Sequence, residues 1–198
     1  MKQPSILTPA GSAQYPRLNS PDTRFHEDGE YRCNVIVTEK EAKGFEKILR
    51  KLYDQEYKLR CEEEGKKFKK SDFFPVVIND EGEHIIKAKR QGTWTTRDGV
   101  KKENQIAVYD ASAQPMPNDL IVGAGSKVIL SVRPNFWNTG MLGFGCSLSL
   151  MGVQVLELAD YSPTATLGFE AQDGFVHGGE TFDEVVKEED EDVEEDAL

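Results

Sequence analysis

The chain has 198 residues, and 38% hydrophobic against 30% charged residues points to one domain with appended segments rather than several cores. No stretch approaches the ~18 uninterrupted apolar residues of a membrane span, and the start, from Met1 to Gln14, has no apolar run of signal-peptide length. The formal charge of −11 is unevenly placed: Glu180 to Leu198 holds 11 acidic residues and one lysine, leaving 24 acidic and 23 basic residues elsewhere. A nearly neutral body thus carries an acidic tail, and an acidic total does not exclude an anionic ligand for the body.

Residues 1–29 are rich in Pro, Ser, Asn and Gly and read as an irregular arm that packs through Ile6, Leu7, Tyr15 and Phe25. Tyr31 to Val37 alternates as a strand. Thr38 followed by Glu39 and Glu41 is a helix start. Phe45, Ile48, Leu49, Leu52 and Leu59 then recur at helical spacing until Gly65. A basic loop follows with Lys66, Lys67, Lys69 and Lys70.

Beyond the loop the texture is β. Phe73 to Ile78 reads as a strand, and Glu83 to Thr95 with Asn104 to Tyr109 as a hairpin around Arg97-Asp-Gly99. Leu120 to Val122 is short and apolar. Ser126 to Arg133 alternates, Pro134 to Gly140 reads as a loop with exposed aromatics, and Gly143 to Leu158 as a long strand in which Gly145 and Gly152 allow bends. About five strands with one early helix fit a small mixed-β barrel, for which a five-stranded OB-fold is a natural candidate. The expected organisation is an arm over 1–29, a binding domain over 30–160, and a disordered linker and acidic tail over 161–198.

No catalytic signature is present. His26, His84 and His177 lack partners at metal-ligand spacing, and Cys33, Cys61 and Cys146 form no CxxC pair. Free thiols in a reducing compartment are expected. Gly123-Ala-Gly125-Ser-Lys127 lacks the spacing of a phosphate loop and precedes a strand rather than a helix. A Mg²⁺-dependent nuclease needs a carboxylate cluster, and Asp110 stands alone. Neither catalysis nor a metal or other cofactor is expected.

A different chemistry is visible between Ile85 and Lys102. Lys87, Lys89, Arg90, Arg97, Lys101 and Lys102 face a single acid, Asp98, and Trp94 lies among them. Arg133, Phe136 and Trp137 repeat the mixture further on. Cations neutralise phosphates and aromatic faces stack on unpaired bases, the two needs of a single-strand binder. The same residues also fit a solvated sheet face with both tryptophans in the core. The tail offers a polyanion that can compete for a cationic groove or engage basic partners. An interaction protein whose acidic tail is the active part, without significant DNA binding, is the alternative.

Specific residues carry a resemblance. Leu120-Ile-Val-Gly-Ala-Gly-Ser-Lys127, then Arg133-Pro-Asn-Phe-Trp-Asn-Thr139, then Leu148 to Ala159 closely resemble the single-stranded DNA-binding proteins of short-tailed phages, the phage T-seven type. Gly11-Ser-Ala13 with Tyr15, Lys87-Ala-Lys89 and Val108-Tyr-Asp110 with Met116 fall in matching order. The resemblance implies an OB-fold barrel with an inserted long helix, a homodimer, and a role in phage DNA replication, recombination and strand annealing in the cytoplasm of the infected host. It further implies an acidic tail that competes with DNA and contacts the phage DNA polymerase and helicase–primase. The corresponding tail residues are Glu188, Glu189, Asp190, Glu191, Asp192, Glu194, Glu195, Asp196 and Leu198. The DNA-binding residues expected are Lys87, Lys89, Arg90, Trp94, Lys101, Lys102, Lys127, Arg133, Phe136 and Trp137. Two departures stand out. Asn135 replaces an aromatic two positions before the tryptophan, and the chain ends in Leu198 rather than Phe.

Overall fold

A computed structural model describes residues 4–24, 27–117 and 120–159. The expectations for residues 160–198, the acidic tail among them, lie outside the described residues. In chain order the elements are β1 (Ile6–Leu7), β2 (Gly11–Asp22), β3 (Glu30–Val37), α1 (Glu39–Glu64), β4 (Val76–Ile78), β5 (His84–Gln91), β6 (Thr93–Thr95), β7 (Lys101–Glu103), β8 (Ala107–Tyr109), β9 (Lys127–Thr139) and β10 (Gly143–Glu157).

Strict alternation explains the main strands. Along β3, Tyr31, Cys33, Val35 and Val37 are buried while Arg32, Asn34 and Ile36 are not. Along β9, Val128, Leu130 and Val132 face inward. In β10, Phe144, Cys146, Leu148 and Leu150 do so, and a register shift between Leu150 and Gly152 lets Val153 and Val155 continue the inward row.

Five strands close into a ring. β2 pairs with β3, β3 with β5, β5 with β10 in parallel, β10 with β9, and β9 returns to β2 through Gly11–Val128 and Ser12–Lys127. β1, β4 and β8 extend this mixed sheet, and β6 with β7 forms a separate two-stranded ribbon.

α1 starts on a reciprocal cap: Glu41 N donates to Thr38 Oγ1 at 3.4 Å and Thr38 N donates to Glu41 Oε2 at 3.1 Å. It ends at Gly65, whose φ of 63° suits a residue without a Cβ. Its buried stripe is Ala42, Phe45, Leu49 and Tyr53. The expected stripe therefore rotates: Ile48 and Leu59 are 56% and 54% exposed. Tyr53 takes the inward place because its ring enters an aromatic cluster with Phe74, Phe136 and Phe144, and its hydroxyl donates to Phe144 O at 2.8 Å.

Other expectations are corrected. The arm over 1–29 contains β2, a ring strand of 12 residues. Pro16, Pro21 and a register shift between Gln14 and Arg17, with Tyr15 at φ 51°, disguise it. Pro134 to Thr139 is no loop but the second half of β9, paired throughout with β10. The strand from Phe73 begins only at Val76. The long hairpin is divided: β6 and β7 pair around Arg97-Asp-Gly99, while β8 lies parallel to β10. Gly145 sits in regular register rather than at a bend.

Candidate nucleic-acid interface

The outward face of the ring carries a row of cations. On β5, Ile86 and Ala88 point into the core, so Lys87 and Lys89 share the exposed face. Strand register extends this row sideways. Lys89 is opposite Arg32 on β3, and Arg32 is opposite Arg17 on β2. On its other side Lys89 is opposite Ser149 of β10, itself opposite Arg133 of β9. Residues directly opposite across paired strands project from the same face. The Nε atoms of Arg32 and Arg133 are buried without a hydrogen-bond partner.

Carboxylates from the end of β2, the turn after it and the start of β3 meet these cations. Glu30 pairs with Lys89 at 2.7 Å. Asp22 pairs with Arg24 at 2.7 Å and Arg32 at 3.2 Å. Hydrogen bonds from Arg24, with the charge of Arg32 behind them, hold the Asp22 carboxyl well below the usual carboxylate range. Asp28 accepts from Thr93 Oγ1 at 2.9 Å and pairs with Lys101, tying the β6–β7 ribbon to the ring. That hydrogen-bonded pairing raises the Lys101 ammonium above its ordinary value.

Two cavities follow this surface. One, of about 700 Å³, is lined by Lys89, Arg90, Trp94, Asn104 and Asn135 among others. The second, of about 560 Å³, is lined by Arg32, Phe73, Lys87, Trp137 and Leu142 among others. Both include Glu30, Lys89, Ser147 and Leu148, so they form one groove. Its aromatic walls are Trp94, 48% exposed, and Phe73, 62% exposed, with Trp137. Lys102 is the register partner of Trp94, with its Nζ 6.0 Å from the ring centroid.

The ten expected side chains thus divide. Lys87, Lys89, Arg90, Trp94 and Trp137 line the groove. Lys101 and Lys102 lie beside it on the ribbon, and Arg133 lies in the transverse row. Arg90 takes an inward position opposite Tyr31 and donates to Asn104 Oδ1 at 2.6 Å. Burial, helped by repulsion from Arg133, lowers its guanidinium pKa.

Two residues fall elsewhere. Phe136 is not presented to the groove. It alternates away from Trp137 into the aromatic cluster, its ring stacked with that of Phe144 at 6.4 Å. Lys127 starts β9, six residues from Arg133, or ~20 Å along a strand, and pairs with Glu157 at 3.0 Å. Arg17, Arg32 and Phe73 are not among the residues expected from the sequence. The period-two pattern of β3 marks Arg32 as outward, whereas nothing local marks Arg17 or Phe73. Among the described residues no group of three or more His, Cys, Asp or Glu side chains is placed to hold a metal, and no helix is long and apolar enough to cross a membrane.

A family profile described as single-stranded DNA-binding protein, bacteriophage T7, matches residues 9–158. The chain belongs to this family. Its characteristic activity is binding rather than catalysis of a reaction. No curated protein matches the sequence. The fold resembles the crystal structure of gp2.5, a single-stranded DNA-binding protein encoded by bacteriophage T7, with a TM-score of 0.70 at 20% identity, covering 88% of this chain and 99% of that one. It also resembles the single-stranded DNA-binding protein of bacteriophage Enc34 in complex with ssDNA, with a TM-score of 0.55 at 14% identity, covering 79% and 88%.

Proposed function

We propose that this family member binds single-stranded DNA, with little regard to sequence, in the groove between Trp94 and Trp137. The observation that carries the reading is the shared lining of the two cavities. Lys87 and Lys89 stand on one strand face, with Phe73 and Trp137 along one stretch and Trp94 along the other. The cations neutralise phosphates, and the aromatic faces stack on bases for about 1–3 kcal/mol each. Bases stack on any π-face, so such a groove tolerates all sequences.

The five-strand ring, with α1 between its second and third strands in chain order, is read as an OB-type barrel. We assign the residues beyond 160, with 11 acidic side chains from Glu180 onward, the role of a tethered competitor for the groove that DNA displaces and phage replication proteins then engage. A homodimer acting in replication, recombination and annealing completes the reading.

Titration of intrinsic tryptophan fluorescence with oligo-dT tests it. Quenching is expected, with log affinity falling against log salt by about 0.7 per phosphate contact. Tighter binding is expected from a chain ending at Gly168. Absence of quenching and binding in both chains rejects the reading.

A further inference from the structure

The groove is not uniformly cationic. The cavity beside Trp94 has two carboxylates, Asp28 and Glu30, and two cations, Lys89 and Arg90. The cavity beside Trp137 has three cations, Arg32, Lys87 and Lys89, against Glu30 alone. Glu30 lines both, and its carboxylate sits 2.7 Å from the Lys89 ammonium. The Lys89 side chain is largely exposed while Glu30 is mostly covered. The lysine is therefore the mobile partner and the carboxylate the fixed one.

We infer that Glu30 occupies the phosphate position on Lys89 in the free protein, so that DNA binds by exchanging a phosphate for this carboxylate. The inference rests on the single-strand reading of the groove. Only the lysine end of the pair is exposed, and an ion pair open to solvent on one side holds weakly, so Lys89 transfers to a phosphate readily. The displaced carboxylate stays beside the strand and repels it. Binding through this stretch then yields less net charge neutralisation than the cation count suggests, and the salt dependence is correspondingly shallow. Glu30 thereby biases tight electrostatic contact toward the Lys87–Arg32 stretch and leaves the Trp94 stretch to hold DNA mainly by stacking. Asp22 on Arg32 repeats the arrangement one strand away, at 3.2 Å.

The test is oligo-dT titration of the full chain against Glu30→Gln across a salt series. Removing one charge at about 4 Å is worth about five-fold in water, so Glu30→Gln is expected to tighten binding about five-fold at low salt. It should also steepen the log–log salt slope by up to about 0.7. Glu30→Ala repeats the test without an amide in place of the carboxylate, and the same direction is expected. Unchanged or weaker binding in both variants overturns the inference, because a carboxylate that merely orients Lys89 would be missed on removal. Failure of the unsubstituted chain to bind oligo-dT overturns the reading beneath it and this inference together.

Discussion

Trp137 and Gly145 are register partners across β9 and β10, and the six-membered ring of the indole occupies the space that a Cβ at position 145 would need. The glycine lets the tryptophan lie against the strand and present its other face to the groove. Gly145→Ala must displace the ring or bend the strand, at about 1–3 kcal/mol of stability as in other overpacked sites. Thermal unfolding should register that loss. Oligo-dT quenching should shrink while the salt slope stays as it was, since no cation is touched.

Lys87 and Lys89, which line the groove, are the phosphate contacts proposed above. Lys87→Gln and Lys89→Gln should each weaken oligo-dT binding and reduce the salt slope by up to about 0.7. Lys127→Gln should change neither quantity, because it sits at the start of β9, away from the groove, and pairs with Glu157 at the end of β10. A Lys127 effect equal to that of Lys87 would put the DNA path elsewhere.

Phe73 and Phe136 separate stacking from packing. Phe73 is exposed in the groove wall, whereas Phe136 stacks with Phe144 beneath α1. Phe73→Ala should cost about 1–3 kcal/mol of binding with little change in stability. Phe136→Ala should cost about 3 kcal/mol of stability and leave the affinity of the folded fraction intact. Paired denaturation and binding curves distinguish the two residues.

Burial pushes the Cys33 and Cys146 thiols up to about 12. At pH 8 a thiol reagent should label Cys61 alone in the native chain and all three in denaturant. The unfolded thiols ionise near ~8.5, so the stability from keeping the two buried thiols neutral is intact below that pH. It is lost progressively as pH rises toward 12. Asp22 acts at the other limit. Its depressed pKa contributes stability above the ordinary carboxylate range, lost as pH falls below it.

The legible parts of the fold were those in which one local rule sufficed. Thr38 with Glu41 and then Gly65 bracket α1, and alternation marks β3 and the first half of β9. β2 is hidden because two prolines and a bulge interrupt its period, and only its pairing with β3 and β9 identifies it as a strand. The second half of β9 reads locally as a loop because Pro134 and two asparagines disfavour a strand, yet β10 pairs with every residue of it. The groove was half legible for the same reason. Lys87, Lys89 and Trp137 stand out in sequence. The transverse row from Arg17 through Arg32 to Arg133 exists only once four strand pairings are in register.

The closure of the ring also orders events during synthesis. Leu130 N donates to Thr8 Oγ1 across 122 residues, and β9 supplies partners for both β1 and β2. The first two strands therefore leave the ribosome long before those partners exist, and contacts of such separation make for slow folding. Lys89 and Ser149, which face each other across the β5–β10 junction, meet only when translation of the ring is almost finished. A chain that stops before β10 lacks the β5–β10 and β9–β10 pairings that assemble the groove, so the groove arises late in synthesis.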